Sequence, residues 1–212
     1  MSKRKDAEKP QQERAIATRK KLLDAAVQSL CARGYAGTTT TAIARDAGLS
    51  QGALFKQFGS KHRLIAATAA HLFDGLVGRF RAGVQASPHR ESAPDALEAT
   101  IRELWSVFLM PELYAVTELF IAARTDEPLR AELTPVVQEH RQNLLAEARM
   151  LFPEAAERNP QFEAAVDLAL TAMQGAALHA AVLDDNAWNR DLAGLLEDIG
   201  RREFEAPYGA SR

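Results

Sequence analysis

The segment over residues 38–64 constrains the fold of this chain most strongly. A helical pattern without glycine or proline stops at Gly48, where a residue without a Cβ turns sharply at little steric cost. Ser50 is suited to cap a following helix, because its hydroxyl can accept a backbone N–H bond. Leu54 and Phe58, four residues apart, would form the inward face of that helix. The segment therefore predicts two short helices joined by a tight turn.

This spacing is typical of a helix-turn-helix, whose second helix enters the major groove of DNA. Glutamine pairs bidentately with adenine, so Gln51 and Gln57 can bond base edges. Lys56 and Lys61 can neutralise phosphates, and threonine hydroxyls with free N–H groups at a helix start suit a phosphate. A helical hairpin with a solvated polar face is the alternative. The predicted DNA contacts are Thr38, Thr39, Thr40, Thr41, Ser50, Gln51, Gly52, Ala53, Lys56, Gln57 and Lys61.

The same segment resembles the DNA-binding domain of the tetracycline-repressor (TetR) family of bacterial transcription regulators. The family pattern is a threonine pair, a helix ending in A-G-(V/L)-S, and then G-x-L-(Y/F)-x-x-F-x-x-K. The resemblance covers residues 14 to about 70, and it adds Phe55 to the predicted DNA contacts. The matching residues are Thr38, Thr39, Ala47, Gly48, Leu49, Ser50, Gly52, Leu54, Phe55, Phe58 and Lys61.

Charged residues are distributed unevenly along the chain. Residues 1–63 hold 13 Lys and Arg against 5 Asp and Glu, a net charge of +8, and the remainder holds 13 against 23, a net charge of −10, which together give −2. A basic front and an acidic back suit a DNA-facing module joined to one that faces elsewhere. Residues 1–13 are polar and contain Pro10, which predicts a disordered basic tail.

The sequence argues against an enzyme. Residues 48–52 match G-x-S-x-G, the nucleophile elbow of serine hydrolases, but that motif needs a buried strand before the turn, and residues 40–47 are alanine-rich and helical. No H-E-x-x-H, P-loop, dinucleotide glycine pattern or Cys/His cluster occurs, so we expect no catalytic residue, no metal and no cofactor. With one cysteine, Cys31, and a longest uncharged run of 16 residues at 168–183, we expect a cytoplasmic protein without a membrane partner.

Helical periodicity extends along the whole chain, and no strand-length alternation interrupts it. We therefore predict an all-α fold of about nine helices: a three-helix DNA-binding domain over residues 14–64 and a helical ligand-binding and dimerisation domain over residues 65–206. Beyond residue 60, helices are predicted over residues 61–84, 95–110, 112–124, about 126–152, about 159–183 and about 186–204, with a linker at 85–94.

The last two predicted helices carry apolar stripes with small residues, which allow close helix approach. The TetR resemblance implies that these helices form a four-helix bundle between two subunits, and an internal core is the alternative. Pairing is independently attractive, because two recognition helices reading an inverted repeat double the contacts. The predicted homodimer interface comprises Phe162, Val166, Leu170, Ala176, Ala180, Leu192, Leu195, Leu196 and Ile199.

The resemblance also implies a small-molecule pocket between the middle helices, whose occupancy shifts the spacing of the two DNA heads. We thus expect a repressor that a small molecule releases from an inverted-repeat DNA operator; an all-α scaffold or small-molecule carrier without a DNA-directed function is the alternative. No motif names the effector. The predicted pocket residues, each with an ordinary core role as the alternative, are Trp105, Phe108, Leu109, Leu113, Glu118, Ile121, His140, Leu144, Met173, Gln174 and Ala177.

Overall fold

The computed structural model describes the backbone of residues 3–86, 93–183 and 186–205, and the side chains of residues 12–86, 96–183 and 191–203. Within these ranges the fold is all-α, as predicted, with no strand. The elements are α1 (Lys3–Gly37), α2 (Thr40–Asp46), α3 (Gln51–Phe58), α4 (Lys61–Ala86), α5 (Ala93–Phe108), α6 (Pro111–Ala123), α7 (Glu127–Leu151), α8 (Pro153–Arg158), α9 (Phe162–Ala180), α10 (Asn186–Gly200) and a π-helical turn (Arg201–Glu205).

Two compact units make up the chain. Unit 1 consists of residues Met1–Phe73 and Tyr114–Gln138. Its N-terminal core packs all four helices α1, α2, α3 and α4 together. They contribute Leu22, Ile43, Leu54 and Leu64, each with no exposed surface. Burying such side chains contributes about 1.5–3 kcal/mol each, so this core holds α2 and α3 firmly against α1.

Unit 2 consists of residues Asp74–Leu113 and Glu139–Arg212. One apolar cluster joins α5, α9 and α10 through Leu97, Ile101, Met173 and Leu196. A second cluster, around Phe162, packs α7, α8 and α9 together. The apolar residues whose periodicity predicts the helices of this unit therefore lie largely in its core.

Several helix boundaries follow the predicted signals. Asp126 caps α7, because its carboxylate accepts the Leu129 N–H at 3.0 Å. Pro111 begins α6, since proline is tolerated in a first turn, where its missing N–H would have no helical partner. Pro135 lies inside α7 without ending it. Asn159 accepts the Gln161 N–H at 2.8 Å just before α9.

The structure differs from the sequence predictions in three places. The described part of α1 begins at Lys3, where a disordered tail was predicted; Lys, Glu and Gln have favourable helix propensity. The short helix α8 was not predicted, and it brings the described helices to ten. Residues 114–138, expected in the second domain, cluster with the N-terminal helices instead. The predicted linker lies mostly outside the described residues.

Among the described helices, none is individually long and apolar enough to cross a membrane. The segments Ala96–Phe108 and Pro111–Ala123 satisfy that test only together, and they are bent by 68°.

Candidate DNA-binding surface and internal cavity

Two side-chain caps hold the starts of α2 and α3, and the sequence predicts the one at Ser50. Thr39 caps α2 by accepting the Ala42 N–H at 3.1 Å, and Ser50 caps α3 by accepting the Ala53 N–H at 3.1 Å. Gly48 lies between them with φ of 66°, a left-handed conformation that favours glycine. The helix-turn-helix is thus set by local backbone chemistry.

Burial then decides which face of α3 is outward. Leu54 and Phe58 are buried, as predicted, and pack with Ile43 of α2. The remaining α3 positions point away from this core. The exposed predicted DNA contacts are Thr39, Thr41, Ser50, Gln51, Gly52, Phe55 and Lys56, and the half-buried ones are Thr40, Ala53, Gln57 and Lys61.

Thr38 is a correction, because its side chain is fully buried. Its hydroxyl donates to the Gly34 carbonyl at 2.7 Å and lies 2.9 Å from the Ser29 hydroxyl. A side chain enclosed in this way supports the end of α1 and cannot reach DNA. The threonine pattern predicted a polar row at the start of α2 but could not show that its first member faces the core.

The exposed amide of Gln51 donates to the Thr41 hydroxyl. This bond joins Gln51, a predicted base-contacting residue on α3, to Thr41, a predicted DNA contact on α2. A side chain held by a neighbour loses less rotamer freedom on binding, so the pair presents a pre-arranged polar group on the outward surface.

Lys61 lies at the edge of this surface, with its ammonium 4.7 Å from the centre of the Tyr35 ring. Tyr35 is itself anchored: its N–H donates to Glu118 at 2.9 Å and its hydroxyl to Asp126 at 3.2 Å. Burial, followed by the negative charge of Asp126, raises the pKa of Tyr35 to about 12. The Leu129 N–H, with smaller contributions from Tyr35 and from His62 at 3.4 Å, lowers the pKa of Asp126.

These contacts correct two predicted pocket residues. Glu118 belongs to unit 1 and accepts the Tyr35 N–H, and Ile121, also in unit 1, is 62% exposed. Residues 35 and 118 are 83 positions apart, a separation that no local pattern can reveal. Glu118 is polar on an apolar helix because it pairs with α1.

Unit 2 contains a cavity of about 80 Å³. Helices α4, α5, α7, α9 and α10 all contribute to its wall. Of the predicted pocket residues, Leu144 and Met173 line it. The other described residues that line the cavity are Phe80, Leu97, Thr100, Ile101, Leu104, Glu147, Ala148, Leu151, Phe152, Ala165, Val166, Leu168, Ala169, Leu170, Leu196, Ile199 and Gly200.

The remaining pocket predictions fall outside that wall. Trp105, Phe108, Leu113 and Ala177 belong to the α5–α9 core cluster, and Leu109 is 41% exposed. Gln174 and His140 are half-buried away from the lining. Desolvation lowers the pKa of His140 to about 4 against a smaller opposing effect of Asp74. Apolar periodicity marks core and cavity residues identically, so sequence alone could not separate them.

One ion pair borders the cavity. Arg81 of α4 donates to the carboxylate of Glu147 of α7. Glu147 is buried, whereas the Arg81 side chain is 52% exposed. Neither residue was predicted, because the pairing joins positions 66 apart.

Comparison with known proteins identifies the family. The family model for bacterial regulatory proteins of the tetR family matches residues 22–68. An uncharacterized HTH-type transcriptional regulator of Mycobacterium tuberculosis is 32% identical over 175 residues, which cover 82% of this chain and 87% of that protein. The chain belongs to the TetR family. The HTH-type regulator CymR of Pseudomonas putida is 30% identical over 62% of this chain and 63% of its own length.

Solved structures agree in fold with this TetR-family chain. A TetR transcription regulator from Haloarcula marismortui aligns with a TM-score of 0.68 at 18% identity, covering 89% of this chain and 99% of that one. The multidrug binding protein EbrR, complexed with imidazole, aligns with a TM-score of 0.65 at 21% identity, covering 90% and 91%. Because its sequence places the chain in the TetR family, it is a transcriptional regulator and not an enzyme.

The predicted dimer residues of this TetR-family chain lie mostly inside the subunit. Phe162, Val166, Ala176 and Leu196 are buried in unit 2. Half-buried positions are Leu170, Ala180, Leu192 and Ile199, whereas Leu195 is 52% exposed. The helix α9 is apolar on two sides, and periodicity selected the side that faces the core.

The outward side of α9 and the turn after it carry a different apolar stripe. Leu168, Leu178 and Val182 are 56%, 40% and 84% exposed, and Leu183 beside them is 56% exposed. The stripe follows a three-and-four spacing through Thr171 and Gly175, which is typical of a seam between helices. We call Leu168, Thr171, Gly175, Leu178 and Val182 the outward stripe.

Proposed function

We propose that this TetR-family chain is a repressor that binds an inverted-repeat operator as a homodimer and leaves it when a small molecule enters the cavity of unit 2. The observation that carries the proposal is the exposed polar face of α3, held outward by buried Leu54 and Phe58. A helix with this exposure and basic flanks suits the major groove.

Different residues of α3 should contact the bases and the phosphates. Gln51 can bond a base edge, whereas Lys56 supplies a cation for phosphates. Replacing Gln51 with Ala should relax the preference at one base position and cost roughly 1–3 kcal/mol there. Replacing Lys56 with Ala should weaken binding to all sequences about equally and reduce the salt dependence.

Selection from a random duplex library, followed by titration of the enriched sequence at two salt concentrations, tests the DNA-binding part. We expect an inverted repeat whose affinity falls as salt rises, and we expect the exposed unit 2 variant Arg102→Ala to behave as the wild type. Failure to enrich any sequence would favour a scaffold or carrier and end this proposal.

The outward stripe is the proposed pairing surface, in place of the residues selected from sequence, most of which are buried or half-buried within the subunit. Exposed apolar side chains in a continuous row mark interaction sites, and Gly175 has no atom within 4 Å of where its Cβ would lie. Sedimentation should give a dimer for the wild type and a monomer for Leu178→Glu with Val182→Glu. Ala146→Glu, an exposed change on α7, is the control. A monomeric wild type at micromolar concentration would contradict the pairing.

A further inference from the structure

The chemistry of the cavity wall restricts what can bind there. All lining residues except Thr100 and Glu147 are apolar. The Thr100 hydroxyl donates to the Ala96 carbonyl at 2.7 Å, so its proton is used within α5. An apolar wall with so few polar groups binds by excluding water from hydrocarbon.

The single charged residue in the described wall is already neutralised. Glu147 accepts from Arg81, so the wall offers neither an unpaired cation to an anionic ligand nor an unpaired anion to a cationic one. Removing an ion from water costs several kcal/mol unless a counter-charge compensates it. A carboxylate ligand would also face the Glu147 carboxylate, and an ammonium ligand would have to compete with Arg81.

The size of the cavity restricts the ligand further. One water molecule needs roughly 10–15 Å³ of cavity volume, and this cavity has about 80 Å³. The space therefore has room for a molecule of several heavy atoms and not for a large one.

We infer that the cavity of unit 2 takes a small, uncharged, predominantly apolar molecule whose single polar group, such as a hydroxyl, donates to Glu147. A carboxylate has about four lone-pair sites, so Glu147 can accept one more hydrogen bond beside that of Arg81. The inference rests on the proposed function only in taking this molecule to be the effector.

Three ligands with the same six-carbon chain test the class: 1-hexanol, hexanoate and hexylammonium. Binding to the full-length protein is measured by calorimetry without DNA. We expect 1-hexanol to bind at least about tenfold more tightly than either ion, because tenfold corresponds to about 1.4 kcal/mol and desolvating an ion costs more. Tighter binding of hexanoate or hexylammonium, or no binding of any of the three, would overturn the inference.

Two variants fill the cavity from different helices, Ala148→Leu on α7 and Ala169→Leu on α9. Each should weaken 1-hexanol binding at least tenfold, whereas Ala146→Leu, exposed on the same helix as Ala148, should not. Thermal melts establish that each variant is folded, and unchanged 1-hexanol affinity in both folded filling variants would place the ligand elsewhere and refute the assignment.

Glu147→Gln should shift the binding preference toward the anionic ligand. It leaves the guanidinium of Arg81 without its partner, so hexanoate should gain at least fivefold relative to 1-hexanol, and an unchanged ratio would refute the role of the ion pair. DNA release is measured separately with 1-hexanol. Binding without release would leave the ligand class intact and contradict the proposed repressor mechanism alone.

Discussion

The two units differ in where their candidate binding surfaces lie. The candidate DNA-binding surface of unit 1 lies outside its core, whereas the candidate ligand surface of unit 2 lies inside it. In unit 1, Leu54 and Ile43 are fully buried while Gln51 and Lys56 face outward. In unit 2, the surface available to a ligand faces inward, around a cavity whose wall comes from residues 80 to 200. A recognition helix can therefore be specified by one short segment, whereas a cavity has to be assembled from distant ones.

The largest expected effect is the loss of stability when a core side chain of unit 1 is shortened, compared with a cavity-lining side chain of unit 2. Leu54→Ala should destabilise the protein by about 2–5 kcal/mol, because it opens a hole in a filled core. Leu144→Ala should cost less than about 2 kcal/mol, since this half-buried side chain already borders empty space. Urea unfolding followed by circular dichroism measures both, and similar losses would mean that the two units are equally well packed.

Backbone conformation gives the next effect. Gly34 has φ of 65° and ψ of 178°, a region that essentially only glycine occupies, at a cost of about 1–3 kcal/mol for other residues. Gly34→Ala should lower the free energy of unfolding by that amount. A Cβ there would also lie 2.5 Å from the Glu118 carboxylate, whose flexible end can move aside.

Two controls sharpen that measurement. Adding Glu118→Ala should not restore stability to Gly34→Ala, because the backbone strain remains. Gly75→Ala in α4, where a Cβ has free space, should instead stabilise by about 0.5–1 kcal/mol. Full rescue by the Glu118 change would show that the clash, not the backbone, sets the cost.

His140, which lies in unit 2, should make the stability of the protein depend on pH in mildly acidic solution. Its pKa of about 4 in the folded chain lies below the unfolded value of about 6.5, so the unfolded state binds its proton first as pH falls. The contribution of neutral His140 to the free energy of unfolding is complete above pH 6.5 and is lost progressively toward pH 4. The loss is on the order of 1–3 kcal/mol, reduced by solvent screening because the ring is partly exposed.

His140→Gln should flatten the pH dependence of the free energy of unfolding between pH 6.5 and 4. Urea titrations of both proteins at pH 7 and pH 4.5 give the difference. The lowered pKa values of Asp46 and Asp126 affect stability at lower pH. Such carboxylates lose their contribution to the free energy of unfolding only below about pH 4. Identical profiles for wild type and variant would remove His140 from the account.

The smallest effect concerns the cap of α3. Ser50→Ala removes the bond to the Ala53 N–H and should cost about 1 kcal/mol. Ser106→Ala, an exposed serine of α5, should change stability by less than about 0.5 kcal/mol. A cap variant as stable as the wild type would mean that packing alone fixes the turn.

Sequence predicted unit 1 well where the determining forces are local. The cap at Ser50, the turn at Gly48 and the inward Leu54 all depend on neighbours within a few residues. Thr38 was misassigned because its burial depends on Ser29 of α1 and on the kink of α1 at Gly34.

Unit 2 was predicted only as helices. Its cavity wall depends on how five helices pack, and Leu144 is chemically indistinguishable from a core leucine such as Leu145. The predicted dimer residues include core positions for a related reason: Val166 and Leu168 both belong to apolar faces of α9, and only packing decides which face is covered. The partner of Glu118 lies 83 residues away, beyond any local pattern.

Leu168 belongs both to the cavity wall and to the outward stripe of α9. If two chains pair through that stripe, one side chain borders a small molecule on one side and a second subunit on the other. Any molecule that favours one rotamer of Leu168 then alters the dimerisation constant, and reciprocity requires dimerisation to alter that molecule's affinity by the same factor. The sensitivity of such a regulator would therefore vary with its own concentration in the cell.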